Sequence, residues 1–379
     1  MSLKFVLAPD SFKESMTAKQ VCDAMKIGIK KAMPTAEITK VPMADGGEGT
    51  VDSLVDATDG HKVFVEVNGP LPDQKVDSYF GILGDGKTAV IEMAKASGIE
   101  LVPPEKRDPF ITTTFGTGEL IIAALNEGVQ KIIIGIGGSA TTDGGIGMAA
   151  ALGIKFYDKN HKIITPNGAG LNKINSISTK ELDSRIKNTE FIVASDVTNP
   201  LTGANGSAAV FGPQKGASAE GVKKLDAGLT NYANVVKQEL NIDIKDVPGS
   251  GAAGGLGAGL IIFTNATLKP GIDIVIDAIN LKEKIKNADI VLTGEGGIDF
   301  QTKFGKTPFG VAQVAKEFNK PVIVEAGYIG KGIDELYQDG ITAIFGILGH
   351  AGPLSDALKD GSTNITRTTE NIVRTLQIK

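Results

Sequence analysis

Residues 4–8, Lys-Phe-Val-Leu-Ala, form a short apolar run that reads as a buried strand. After a loop, apolar positions recur at helical spacing over residues 17–33, and Pro34 stops the helix. The unit then repeats, with a second strand predicted at 38–41 and a second helix at 48–57. Near the other end of the chain, 288–292, 321–325 and 341–345 are three more apolar runs, separated by helical stretches around 308–318 and 333–337. Strands that alternate with helices predict a parallel sheet of Rossmann-like type.

The middle of the chain is different in kind. Residues 76–83 and 88–93 alternate around Gly84-Asp85-Gly86-Lys87, a hairpin signal, and 156–164 bracket a second turn at Asp158-Lys159-Asn160. Residues 131–135 followed by 139–152 again predict a strand and then a helix. The expected fold is α/β with two domains. Both chain ends, 1–69 plus 288–379, form a Rossmann-like parallel-sheet domain, and 70–287 is a second α/β domain inserted between them.

Composition narrows the class. A chain of 379 residues predicts two or three domains and a substantial core. Its 48 glycines are nearly twice the usual share of about 7%, yet 41% hydrophobic content without repeats excludes collagen-like or disordered classes. A net charge of −5 and 5% aromatics leave neither a basic footprint nor stacking platforms, so nucleic acid is not an expected partner. The N-terminal run lacks a long apolar segment and no stretch approaches ~20 apolar residues, so the expectation is a soluble, cytoplasmic protein without a membrane partner. Cys22 is the only cysteine, which rules out an internal disulfide or thiolate metal site and predicts a small buried hydrophobe on the first helix.

Chemistry concentrates in six short runs, most of which set glycine beside carboxylates, hydroxyls or a lysine: 10–15, 44–50, 135–147, 194–203, 249–259 and 293–307. Glycine has no side chain to keep backbone amides from an anion, so the pattern points to phosphate. The runs hold Asp10, Asp45, Glu48, Asp143, Asp196, Glu295 and Asp299. Phosphoryl transfer needs Mg²⁺ held by one or two acids, amides and cations around the phosphates, and an acid to accept the nucleophile's proton. An Asp beside Gly equally well caps a helix or turn. Lys13, Lys215 and Lys306 either hold phosphate or a substrate carboxylate, or are solvated.

Three motifs compete. Gly135-Ile-Gly137-Gly-Ser-Ala140, with Asp158 some twenty residues on, matches the dinucleotide-binding fingerprint and supports an NAD-dependent oxidoreductase as the alternative reading. Its continuation, Thr141-Thr-Asp143-Gly-Gly-Ile-Gly147, argues otherwise, because it puts glycine and a carboxylate where a Rossmann helix places packing residues. Gly249-Ser-Gly251-Ala-Ala-Gly254 is a second match, but no strand precedes it. Gly305-Lys306-Thr307 resembles the end of a P-loop, yet Phe300 occupies the position of the first glycine. His61, His161 and His350 have no metal-site or relay spacing, so the general base is expected to be a carboxylate. An anion-binding regulator without catalysis is a third reading.

Read together, these segments resemble the bacterial glycerate kinase type-1 family. The resemblance rests on Ala8-Pro-Asp10-Ser11-Phe-Lys13, Met43-Ala-Asp45-Gly-Gly-Glu-Gly-Thr50, Thr114-Phe-Gly-Thr-Gly-Glu-Leu120 and the run 135–147. Ala194-Ser-Asp196-Val-Thr-Asn-Pro-Leu201, Val210-Phe-Gly-Pro-Gln-Lys215-Gly-Ala217, 248–259, and Thr293-Gly-Glu295-Gly296 through Gly305-Lys306-Thr307-Pro308 complete it. Their order and spacing cover nearly the whole chain. The resemblance implies an ATP- and Mg²⁺-dependent phosphotransferase that converts D-glycerate to 2-phosphoglycerate, with 3-phosphoglycerate as the alternative product, and a site in the cleft between two α/β domains. On that footing Asp196 is the expected base, with Asp45 and Asp143 as metal-holding or alternate base candidates and Asp196, Asp45 and Glu295 as metal ligands. Lys13, Ser11, Asp10 and Lys306 are the expected substrate contacts. Gly137, Gly138, Ser139, Thr141, Gly251, Gly254 and Gly255 are expected to cradle ATP. Two flanking positions depart from the family's pattern: Glu14 stands where Gly is common, and Thr142 where Asn is common. Oligomeric state is left open.

Overall fold

The structure, a computed structural model, describes residues 3–378. The chain divides into two compact units, one made of the residues up to Gly60 together with those from Pro270 onward, the other of His61–Lys269.

The first unit opens with β1 (Lys4–Leu7) and β2 (Glu37–Lys40). Between them the helix Ala18–Ala32 starts at Thr17, whose hydroxyl accepts from Gln20 N while the Gln20 side chain accepts from Thr17 N. Its inner face buries Val21, Cys22, Met25 and Ile29. Cys22 donates to the Leu7 carbonyl, and burial pushes its thiol up to about 12. The second unit contains β3 (His61–Asn68), β4 (Lys75–Ile82), β5 (Thr88–Glu92), β6 (Lys131–Gly135), β7 (Lys155–Tyr157), β8 (Ser176–Ser178), β9 (Glu190–Ala194) and β10 (Thr267–Lys269). The chain then returns to the first unit with β11 (Ile290–Ile298), β12 (Val322–Ile329) and β13 (Ala343–Gly346).

The first unit's sheet is wholly parallel, in the order β13-β12-β11-β1-β2. From β1 the chain moves outward to β2, then re-enters on the opposite side of β1 as β11. That reversal is the topological switch point of a flavodoxin-like sheet, where loops at the carboxyl ends of the strands diverge and leave a crevice for a ligand. Phe5, Leu7, Leu292 and Ile323 pack with Met25, Ile29 and with Ile365, Ile372 and Val373 of the C-terminal helix Gly361–Leu376. Gly28 sits against the Thr366 carbonyl and Thr369, so even an alanine there would separate the two helices.

The second unit's main sheet runs β10-β9-β6-β5-β4-β3, with β3 and β4 antiparallel and β5, β6, β9 and β10 parallel. The parallel strands advance in one direction, so this sheet has no reversal among them. β7 and β8 form a separate antiparallel pair. A second core gathers Phe156, Tyr232 and Phe263, with Phe156 edge-on to both other rings.

The expected crossings at 69/70 and 287/288 are displaced. Residues 61–68 are β3, paired along their whole length with β4, so Asn68-Gly69-Pro70 leads into the turn of a hairpin. Residues 271–286 belong with the first unit and fold into the helices Gly271–Ala278 and Leu281–Lys286. The helix expected at 139–152 is only Ile146–Ala151, because Gly144 and Gly145 adopt left-handed backbone and Asp143 binds the amides that follow.

Candidate active site

The switch point of the first sheet carries a group of acids. Beyond the end of β1 the ladder to β11 continues, with Ala8 N donating to the Leu292 carbonyl and Asp10 N to the Gly294 carbonyl, both at 2.8 Å. Thr293 Oγ1 donates to the Ala8 carbonyl at 2.7 Å. These bonds hold Asp10 beside Glu295. Asp10 accepts Ser11 N at 2.6 Å and Thr307 Oγ1 at 2.5 Å, and Glu295 accepts Thr302 Oγ1 at 3.2 Å. Lys306 Nζ stands 3.6 Å from Glu295 Oε1. Asp45, after β2, accepts Gly47 N at 3.0 Å. Gly271 lies so close against the Asp45 carbonyl that no side chain would fit there.

The electrostatics follow from this crowding. Burial, reinforced by Asp45 and only partly offset by Thr307 and Ser11, raises the Asp10 carboxyl to about 6. Glu295, 9% exposed, is pushed up to about 7 by burial; Lys306 pulls it back, while Asp10 and Asp45 raise it further. Lys306 offsets Glu295, while Asp10 and Asp45 add like charge, so what this group lacks is positive charge. Oxygen-rich and short of cations, it suits a small divalent ion such as Mg²⁺, which takes one or two carboxylates and completes its shell with phosphate or water. Among the described residues no group of three or more His, Cys, Asp or Glu side chains is arranged as a preformed metal site. Gly296 is exposed, and a Cβ there would stand 3.8 Å from both Lys13 N and Phe12 Cα. Lys13 is exposed on the tight turn between Phe12 and Met16, in which Glu14 is forced to φ +62°.

In the second unit, the expected residues separate into two groups. Gly137 and Gly138, just past β6, are exposed; a Cβ at Gly137 would meet nothing within 4 Å, and Gly138 has φ +73°. Asp196 is exposed just past β9. These positions are open to a ligand. By contrast Gly251, Gly254 and Gly255 are buried against the Pro200 carbonyl, the Thr141 carbonyl and Gly144, so they allow backbone to pack on backbone and offer no cradle. Asp143 is 0% exposed and its carboxylate is saturated: Oδ2 accepts Thr114 N and Thr114 Oγ1 at 2.8 Å and Gly147 N at 3.3 Å, and Oδ1 accepts Gly145 N at 3.0 Å. Burial still raises its pKa against those bonds. It is a framework carboxylate, neither a base nor a metal ligand. Ser139 and Thr141 are buried, and both are tied to Lys215.

Sequence reasoning missed Thr307 and Thr302, which bind the two acids, and Thr114, which binds Asp143. Thr307 carried a signal, since it follows Lys306 at the start of the helix Thr307–Glu317. The oxidoreductase fingerprint fails on geometry. Asp158 caps its own turn, accepting Asn160 N and Lys162 N, and β7 pairs with β8 outside the sheet that contains β6.

A parallel sheet with under-neutralised acids, a lysine and open glycine backbone at its reversal defines an α/β enzyme that works on anionic groups. Comparison with known proteins is specific. The sequence profile of the Glycerate kinase family matches residues 5–377. The chain is 52% identical to "Glycerate kinase" of Haemophilus influenzae over 100% of both chains, and 52% identical to "Glycerate 2-kinase" of Escherichia coli over 99% of this chain and 98% of the other. A crystal structure of a Salmonella typhimurium LT2 protein provisionally named glycerate kinase 2 superposes with a TM-score of 0.92 at 49% identity, covering 100% of this chain and 99% of that one. The chain belongs to the glycerate kinase family, and it is a kinase. No helix among the described residues is long and apolar enough to cross a membrane.

Proposed function

We propose that the enzyme transfers the γ-phosphoryl group of ATP to the 2-hydroxyl of D-glycerate, giving 2-phosphoglycerate, with Mg²⁺ as the required cation. The observation that carries the reading is the acid group at the first sheet's switch point, where Asp10, Asp45 and Glu295 raise one another's charge cost and Lys306 pairs with Glu295. The name of the Escherichia coli relative supports the choice of the 2-hydroxyl. Mg²⁺, held by one or two of these carboxylates, would supply neutralisation of the charge on the phosphates. Asp196, exposed beyond β9, accepts the hydroxyl proton as general base. Lys13 and Ser11 hold the glycerate carboxylate, and Lys306 contributes a point charge to the phosphates. The open amides of Gly137 and Gly138 take a nucleotide phosphate.

Phosphorus NMR of the product formed from D-glycerate and ATP, with and without Mg²⁺, tests the reading. The expected product is 2-phosphoglycerate, formed only with the metal. A spectrum dominated by 3-phosphoglycerate would overturn the assigned hydroxyl, and full turnover in EDTA would overturn the cation's role.

A further inference from the structure

Among the described residues of the second unit, Lys215 is the one lysine or arginine that is buried. It is 2% exposed, and its Nζ donates to Ser139 Oγ and to the Thr141 carbonyl, both at 2.6 Å. Lysine is almost never buried so fully unless its ammonium is paired, because removing that charge from water is expensive. Here that expense is visible: burial pulls the ammonium down to about 7, against the opposing pull of Asp143. Its placement is rigid. Lys215 ends the turn Pro213–Lys215, and Gly216, at φ +100°, lies so close to the Arg107 carbonyl that only glycine fits.

The segment Lys215 grips is the one that contains the open amides. On its other side, the Gly138 carbonyl accepts Ile99 N at 2.8 Å, Ala140 N donates to the Ser97 carbonyl at 3.0 Å, and Thr112 Oγ1 donates to the Ala140 carbonyl at 3.0 Å. Carbonyls and the Ser139 hydroxyl are thus tied to the protein. The amides of Gly137 and Gly138 have no hydrogen bond to another described residue, and both glycines are exposed. A turn anchored through its carbonyls, with successive free amides and a left-handed glycine, is an anion-binding nest.

We propose that Lys215 is the positioning residue of this nest: by holding Ser139 and Thr141 from the buried side it presents the Gly137 and Gly138 amides to a phosphate of the nucleotide. The inference rests on the reading of Gly137 and Gly138 as nucleotide contacts given above. Lys215 touches no substrate. It acts through the turn, so its loss should weaken nucleotide binding and spare glycerate binding.

Calorimetric titration with a non-hydrolysable ATP analogue plus Mg²⁺, and separately with D-glycerate, tests this on wild type, Lys215→Met and Ser139→Ala. Lys215→Met, of similar length but without charge or donors, should raise the nucleotide Kd by about tenfold or more and change the glycerate Kd by less than about twofold. Ser139→Ala, which removes one of the two contacts, should show the same selectivity with a loss of about threefold. An unchanged nucleotide Kd in folded Lys215→Met, or equal losses for both ligands, overturns the assignment. If Lys215→Met does not fold, Ser139→Ala decides by the same criteria. Hydrogen exchange of wild type separates the two layers. Protection of residues 136–141 by the analogue is expected. If the analogue binds without it, the nest is not the nucleotide contact and both readings fall; if protection appears while affinity is indifferent to Lys215, only the lysine's role falls.

Discussion

Asp10, Asp45 and Glu295 in the first unit and Asp143 in the second all stand toward the carboxyl ends of parallel strands, all but Asp10 beside glycine, and the structure treats them in opposite ways. Asp143 receives four donors, three of them amides of its own surroundings and one a hydroxyl, and none of it reaches solvent. The first unit's acids are buried and crowd one another, with Lys306 beside Glu295, which leaves Asp10 and Glu295 at raised pKa values near neutrality. A saturated carboxylate fixes loops. An under-satisfied group of them is held ready for a cation that the protein alone does not provide, which is why perturbed acids mark working sites more often than buried ones with full shells. The topology agrees: only the sheet with the acid group has a chain reversal at its centre.

The comparison can be broken or sharpened in three ways. The largest expected effect is on Asp196: steady-state kinetics of Asp196→Asn should show kcat reduced by roughly 10³-fold or more at an unchanged Tm, since an amide of the same shape cannot take the hydroxyl proton. Retention of more than about a tenth of wild-type kcat would remove it from the role of base.

A second effect, of intermediate size, concerns pH. The Asp10 and Glu295 carboxyls go from ordinary values of 3.8 and 4.5 to about 6 and about 7, so the folded protein keeps protons that the unfolded chain has released. Their contribution to stability is therefore present below pH ~4 and lost as pH rises through 6 and 7. Cation affinity has the opposite sign, because only the ionised acids bind: it should fall by about tenfold for each released site that is reprotonated per pH unit below 6. Titration calorimetry with Mg²⁺ and nucleotide between pH 8 and 5.5, beside the metal-free Tm over the same range, checks both signs. A pH-independent affinity would contradict the geometry of the acid group.

The smallest effect tests the local backbone beside that group. Glu14 adopts φ +62°, a conformation that favours glycine, so Glu14→Gly should raise stability by about 0.5–1 kcal/mol in urea denaturation. A loss of stability would mean that the Glu14 side chain contributes more than its backbone costs.

Much of this was legible in the sequence. The first unit's strands and helices appear because each apolar run is punctuated by Pro, Gly or a capping residue, as at Thr17 and Pro34. β3 carries a readable alternation at Val63, Val65 and Val67, but Asn68-Gly69-Pro70 is stronger punctuation and suggested a domain edge where the chain only turns into β4. Asp45 and Glu295 could be named from their glycine neighbours, and Asp10 from the serine and lysine beside it. Their grouping could not, because Ala8 and Thr293 are 285 residues apart and only the β1–β11 pairing unites them. Nor does glycine spacing separate a ligand cradle from close packing: Gly137 opens to solvent, whereas Gly254 is pressed on the Thr141 carbonyl, and burial alone tells them apart.

The most direct test of the contrast is a matched pair, Glu295→Gln and Asp143→Asn, each measured for kcat and for unfolding free energy. Glu295→Gln should lose about 10²-fold or more in kcat while stability is unchanged or higher, since a repelled charge is removed. Asp143→Asn should lose about 3 kcal/mol of stability, because its amide nitrogen would face donors, with the folded fraction keeping kcat within about threefold. The reverse pattern, an inactive but stable Asp143→Asn beside an active Glu295→Gln, would contradict the account.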